Sequence, residues 1–118
     1  MATVTIDGPN LLVRLTLAEK MGSLHGNVQV PVSSVQAASV EASPWNAIRG
    51  TKTAGVGIPG GAALGVRYFS GGKDFTAVHG SQPAVRIDLD QNSPYSRLIV
   101  SVADPEQTVA AVLAAAGS

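Results

Sequence analysis

The sequence predicts a mainly β domain of short antiparallel strands closed by a single C-terminal helix. Three observations carry this. Apolar residues recur at every second position along most of the chain, the mark of strands with one buried face. Turn chemistry rich in Gly, Pro, Asn and Asp separates those runs into short consecutive units. After Asp104 the apolar period lengthens to that of a helix.

Val4 and Ile6 open a short strand that ends in the turn Asp7-Gly8-Pro9-Asn10. Leu11, Val13, Leu15 and Leu17 then alternate with Leu12, Arg14 and Thr16, which predicts a strand with one core face. Residues 18–24 read as an irregular or one-turn helical link. Val28 and Val30 alternate into Pro31, which suits a strand end or edge. Val35 to Glu41 reads as a further strand, stopped by Ser43-Pro44. From Trp45 to Gly61 the glycines and Pro59 rule out a long helix, and the segment reads as an ordered loop.

Regular alternation returns at Ala62–Phe69, with Leu64, Val66 and Tyr68 on one face. Gly71-Gly72 turns the chain into a strand carrying Phe75, Ala77 and His79 on one face and Val78 on the other. Val85, Ile87 and Leu89 form the next strand. Leu98, Val100 and Val102 alternate with Arg97, Ile99 and Ser101 in the last. Short turns at Gly80–Pro83 and Asn92-Ser93-Pro94 make residues 62–102 an expected antiparallel meander. Asp104 then offers an N-cap, Pro105 the first helical position and Gln107 a capping-box partner. Val109, Val112, Leu113 and Ala116 follow at helical spacing before Gly117, and Val109, Val112 and Leu113 are expected to pack on the sheet.

Composition narrows the function classes. The 118 residues fit one domain, 1–118, large enough for a self-supporting core. Without cysteine there is neither a disulfide nor a thiolate metal site. Eight bases balance eight acids, which argues against a nucleic-acid or anionic-membrane binder. Neither a signal peptide nor an apolar run of bilayer length is read in the chain, so the expectation is a cytoplasmic protein.

About seven strands followed by a capped helix resemble the pleckstrin-homology (PH) superfold. The stretches LLVRLTLAEKMGSLHGNVQVPVSSV (11–35), IRGTKTAGVGIPGGAALGVRYFSGGKDFTAVHG (48–80) and PAVRIDLDQNSPYSRLIVSVADPEQTVAAVL (83–113) are similar to small bacterial PH-like proteins. The resemblance implies a partly open barrel of two near-orthogonal antiparallel sheets with the helix closing one end. It implies nothing about activity, since the superfold serves many functions. Phosphoinositide-binding members carry bases around the first inter-strand loop. Here that loop holds none, which argues against phosphoinositide or membrane binding.

No catalytic constellation, metal-ligand spacing or cofactor motif stands out. Gly55-Val56-Gly57-Ile58-Pro59-Gly60 matches G-x-G-x-x-G in letters, but the βαβ context that motif needs is missing. His25 and His79 show no ligand spacing and read as surface or interface residues. Trp45 reads as a plug anchoring its loop on the core. Residues 42–73 contain Arg49, Lys52, Arg67 and Lys73 and no acid, whereas the flanking segments carry −1 and −3. Those four bases are the candidate site for an anion or an acidic partner. The competing reading pairs them with Asp74, Asp88 or Asp90 across strands. The expected function is a non-enzymatic binding or assembly module with a protein partner or a second copy, acting through strand edges or the groove beside the terminal helix. The alternative is a small-anion or small-ligand binder built on the 49–73 segment.

Overall fold

A computed structural model describes residues 1–23, 26–52, 56–58 and 61–117. The chain runs β1 (Thr3–Asp7), β2 (Asn10–Arg14), α1 (Leu17–Ser23), β3 (Val28–Pro31), a 3-10 turn (Val32–Ser34), β4 (Val35–Glu41) and α2 (Pro44–Ala47). It continues through β5 (Thr51–Lys52), β6 (Val56–Ile58), β7 (Ala62–Phe69), β8 (Gly72–His79), β9 (Ala84–Leu89), β10 (Arg97–Val100) and α3 (Pro105–Ala116). The mainly β architecture with a closing C-terminal helix is as the sequence predicts.

Strands β1, β2 and β3 form a small antiparallel sheet. Its first hairpin is set by Gly8, whose φ of +59° opens the two-residue turn that pairs Asp7 with Asn10. The larger sheet has the order β4-β9-β10-β8-β7, with β5 and β6 both pairing along β7. Leu11, Val13, Val28 and Val30 of the small sheet face Phe75, Ala77, Ile87, Leu98 and Val100 of the large one, and all nine are buried. A second cluster lies on the outer face of the large sheet, where Ala63, Val78, Ala84 and Ile99 are covered by Trp45, Ala47 and Ile48.

The expected meander is corrected. Strand β10 enters between β8 and β9, antiparallel to β9 but parallel to β8, with Leu98 opposite Phe75 and Val100 opposite Ala77. Residues 80–83 therefore bridge one intervening strand, a gap of about 10 Å that four residues span easily. The physical reason is burial. Leu98, Ile99 and Val100 are each 0% exposed, so β10 is covered on both faces and takes a central place. This parallel pair also departs from the wholly antiparallel sheets that a PH-like relationship implies.

Two further expectations change. Residues 17–23 form a two-turn helix where an irregular or one-turn link was expected, and β2 stops at Arg14. The 45–61 loop contains α2, β5 and β6. Gly55, Pro59 and Gly60 of the glycine motif lie outside the described residues, and Val56–Ile58 form a strand.

Helix α3 begins as the sequence predicts, with an Asp104 carboxylate oxygen accepting from the Gln107 N–H at 3.2 Å. It packs on β1, β4 and β9. Val112 is 1% exposed, but Leu113 is 48% exposed and does not share the buried face. Val112→Asp is therefore expected to cost on the order of 4 kcal/mol of unfolding free energy, and Leu113→Asp less than about 1 kcal/mol. Denaturant midpoints for the two variants check this, and equal losses would place Leu113 in the core.

Candidate functional site

The local sequence around α1 builds a polar centre at one end of the space between the sheets. Thr16 and Glu19 form a reciprocal capping box. The Thr16 hydroxyl accepts from the Glu19 N–H at 3.2 Å, and Glu19 Oε1 accepts from the Thr16 N–H at 2.8 Å. The second carboxylate oxygen accepts from the Ala2 N–H at 3.2 Å and meets His79 Nε2 at 2.8 Å. Glu19 is 1% exposed, a charge buried only because each oxygen is hydrogen-bonded. Burial pushes its pKa up. The Thr16 N–H, the His79 ring and the Thr16 hydroxyl outweigh that and hold the carboxyl below its ordinary value.

His79 ends β8, where its N–H donates to the buried Ser101 hydroxyl at 3.0 Å. Its ring reaches a cleft of about 640 Å³ walled by Met1, Thr16, Ala18, Gly80, Ser81 and Gln82. Nε2 is the ring nitrogen placed to donate to the Glu19 carboxylate, which in its ionised form only accepts. Beside the cleft, α1 turns Leu17 and Met21 outward at 73% and 69% exposure. The cleft thus combines hydroxyl, carboxamide and imidazole groups with an apolar rim.

The four bases expected to form one site are not equivalent. Arg49 Nε donates to Asp74 Oδ2 at 2.7 Å and Nη2 to Oδ1 at 3.2 Å, a two-pronged pair with a fully buried carboxylate. Its guanidinium also lies 4.2 Å from the centre of the Phe69 ring. Arg67 stands opposite Asp74 in the β7–β8 register and donates to the Gly50 carbonyl at 3.3 Å. Lys73 is held 5.0 Å above the Tyr95 ring, beside a separate cleft. The Lys52 side chain lies outside what the structure describes. Asp74, one of the three acids expected across strands, is thus the partner of Arg49.

A second charged group braces the outer face. Asp88 accepts from Arg97 Nε at 2.7 Å and from Arg86 Nε at 3.3 Å, while Arg97 Nη1 reaches the Ala47 carbonyl at 3.1 Å. Burial pushes the Asp88 pKa up, but the Arg97 and Arg86 guanidinium groups outweigh it and hold the carboxyl below its ordinary value. Trp45 plugs the loop as expected, its indole N–H donating to the Gly80 carbonyl at 2.7 Å. Among the described residues no cluster of three or more His, Asp or Glu side chains is arranged to hold a metal. His25 lies outside the described residues.

The sequence did carry a signal for Glu19, the pattern Thr16-x-x-Glu19. It carried none for the pairing with His79, which joins residues 60 positions apart. Comparison with known protein families, curated proteins and solved structures finds no match to the chain.

The lowered Glu19 pKa fixes a sign for pH dependence. Its contribution to stability is complete above the unfolded value of 4.5 and is lost as pH falls through the lower folded value. Asp88 behaves likewise from 3.8 downward. Glu19→Gln is expected to lose about 1–3 kcal/mol at neutral pH and to show a shallower decline between about pH 5 and pH 3. Melting temperatures across that range check it, and parallel wild-type and variant curves would refute it.

Proposed function

We propose that the protein is a cytoplasmic, non-enzymatic binding module that engages another protein through the outer face of α1 and the cleft beside it. The observation that carries this is the pair Leu17 and Met21, one helical turn apart and more than two-thirds exposed. Neither side chain contributes to the core. Two large apolar groups facing water at helical spacing are the form of a docking stripe, and a methionine thioether adapts to varied partner surfaces.

The cleft supports the same reading. Met1 and Ala18 give the cleft apolar lining, and His79, Ser81 and Gln82 give it hydrogen-bonding groups. Exposed apolar side chains set beside hydrogen-bonding groups are the usual makeup of a protein interface. The Glu19–His79 pair fits a bracing role in this reading. Its other bonds run to the backbone of Ala2 and Thr16, which ties α1 and the first residues to the end of β8. The PH-like resemblance draws support from the two sheets and their closing helix, and the parallel β8–β10 pair weighs against it. The surface argument stands without it.

Leu17→Glu with Met21→Glu tests the reading. Both positions are exposed, so unfolding free energy is expected to stay within about 1 kcal/mol of wild type. Sedimentation equilibrium and affinity capture are then run in parallel on both proteins. A second copy or a captured protein held by wild type and lost by the double variant supports the module. Identical assembly and identical captured proteins would remove α1 as the docking surface.

A further inference from the structure

At the opposite end of β8 lies a cleft of about 440 Å³ whose lining includes Tyr68, Gly71, Gly72, Lys73, Ser93 and Ser96. We propose that it binds a small organic oxyanion carried on a flat ring, with Lys73 as the charge contact, Ser93 and Ser96 as hydroxyl donors and Tyr68 as the stacking surface. This site is separate from the α1 surface and does not depend on it.

The charge argument comes first. Of the bases in the acid-free segment, Arg49 is satisfied by Asp74 and Arg67 reaches a backbone carbonyl. Lys73 has no carboxylate partner among the described residues. Its ammonium is positioned over the Tyr95 ring, 5.0 Å from the centroid. That contact limits the freedom of a long side chain, so less entropy is lost when a ligand binds. No acid lines the cleft. Asp90, the nearest acid along the loop, turns its carboxylate onto the Asn92 N–H at 2.9 Å.

The hydroxyls are the second argument. The Ser96 N–H donates to the Lys73 carbonyl at 2.7 Å and the Leu89 N–H to the Ser96 carbonyl at 3.0 Å, which fixes Ser96 beside Lys73. The Ser93 hydroxyl oxygen accepts from the Tyr95 N–H at 3.2 Å, so its own proton remains free to donate. The floor is kept open by Gly72, where an added Cβ would run into the Ser96 hydroxyl. Tyr68, 48% exposed, supplies an aromatic face at the cleft wall. One cation, two hydroxyl donors and a ring face together fit a phosphate or carboxylate attached to a planar body.

Phenyl phosphate, inorganic phosphate and phenol are the probes, compared at constant ionic strength against chloride. Phenyl phosphate is expected to raise the melting temperature, inorganic phosphate to raise it less, and phenol to leave it unchanged. Lys73→Met, which keeps the apolar stem, is expected to weaken phenyl phosphate binding by about tenfold or more. Tyr68→Ser is expected to reduce the phenyl phosphate response to that of inorganic phosphate. Amide shifts in the wild-type protein provide a reading independent of the variants, and should concentrate at Gly71, Gly72, Ser93 and Ser96. No response beyond chloride, an equal response to phenol, a full response in Lys73→Met, or shifts centred elsewhere would each overturn the site.

Discussion

The fold depends on the insertion of β10 between β8 and β9. Its three apolar residues are fully buried, and its two edges are both hydrogen-bonded, one to a parallel neighbour and one to an antiparallel neighbour. Side chains from this one strand enter both hydrophobic clusters, Leu98 and Val100 on the inner face and Ile99 on the outer. Burying each such side chain contributes about 1.5–3 kcal/mol, so the centre of the sheet is its most strongly held part. The arrangement also fixes β8 from both sides, because β7 and β10 lock its register. The ends of β8 are therefore firm places on which to hang a site.

Buried charge then attaches the elements that the sheets do not hold. Asp74 on β8 secures Arg49, and through it the chain that follows α2. Glu19 secures the first residues, the start of α1 and His79. Asp88 and Arg97 secure the end of α2 through the Ala47 carbonyl. No buried side-chain nitrogen or oxygen among the described residues lacks a hydrogen-bond partner, which is the condition for such groups to hold a structure together. Removing one member of the Arg49–Asp74 pair would strand the other, at a cost well above that of an exposed ion pair.

Local chemistry was legible in the sequence and long-range order was not. The cap of α3 and the turn at Gly8 follow from residue types within a few positions. Trp45 with Gly80 and Arg49 with Asp74 join residues 35 and 25 positions apart, whose types alone suggested a plug and an ion pair. The place of β10 did not, because Arg97 to Val102 alternates well enough to pass for a strand with one wet face. The uninterrupted Leu98-Ile99-Val100 was the stronger signal, since only a doubly covered strand buries all three. Helix α1 was hidden by the same alternation, which carried the period of two from Leu11 through Leu17. The capping box Thr16-x-x-Glu19 marks its start, and the helix turns Leu17 and Met21 outward. The spread of the basic segment was illegible for another reason. Arg49, Arg67 and Lys73 meet three different partners, the Asp74 carboxylate, the Gly50 carbonyl and the Tyr95 ring, although the register of β7 and β8 sets Arg67 opposite Asp74.

That register also decides how the two surfaces relate. Lys73 and His79 stand six residues apart on β8, a separation of roughly 20 Å along an extended strand. Their side chains serve clefts that share no lining residue. Coupling between them would require β8 to slide or bend, and a one-residue slip would turn Phe75 and Ala77 out of the core and Asp74 into it. The two surfaces are therefore expected to act independently, since mutations this far apart without a shared partner add. In a double-mutant cycle, Leu17→Glu with Met21→Glu should leave the phenyl phosphate response unchanged, and Lys73→Met should leave protein capture unchanged. A coupling energy above about 0.5 kcal/mol would show that β8 has a second arrangement, contrary to the two-sided pairing that holds it.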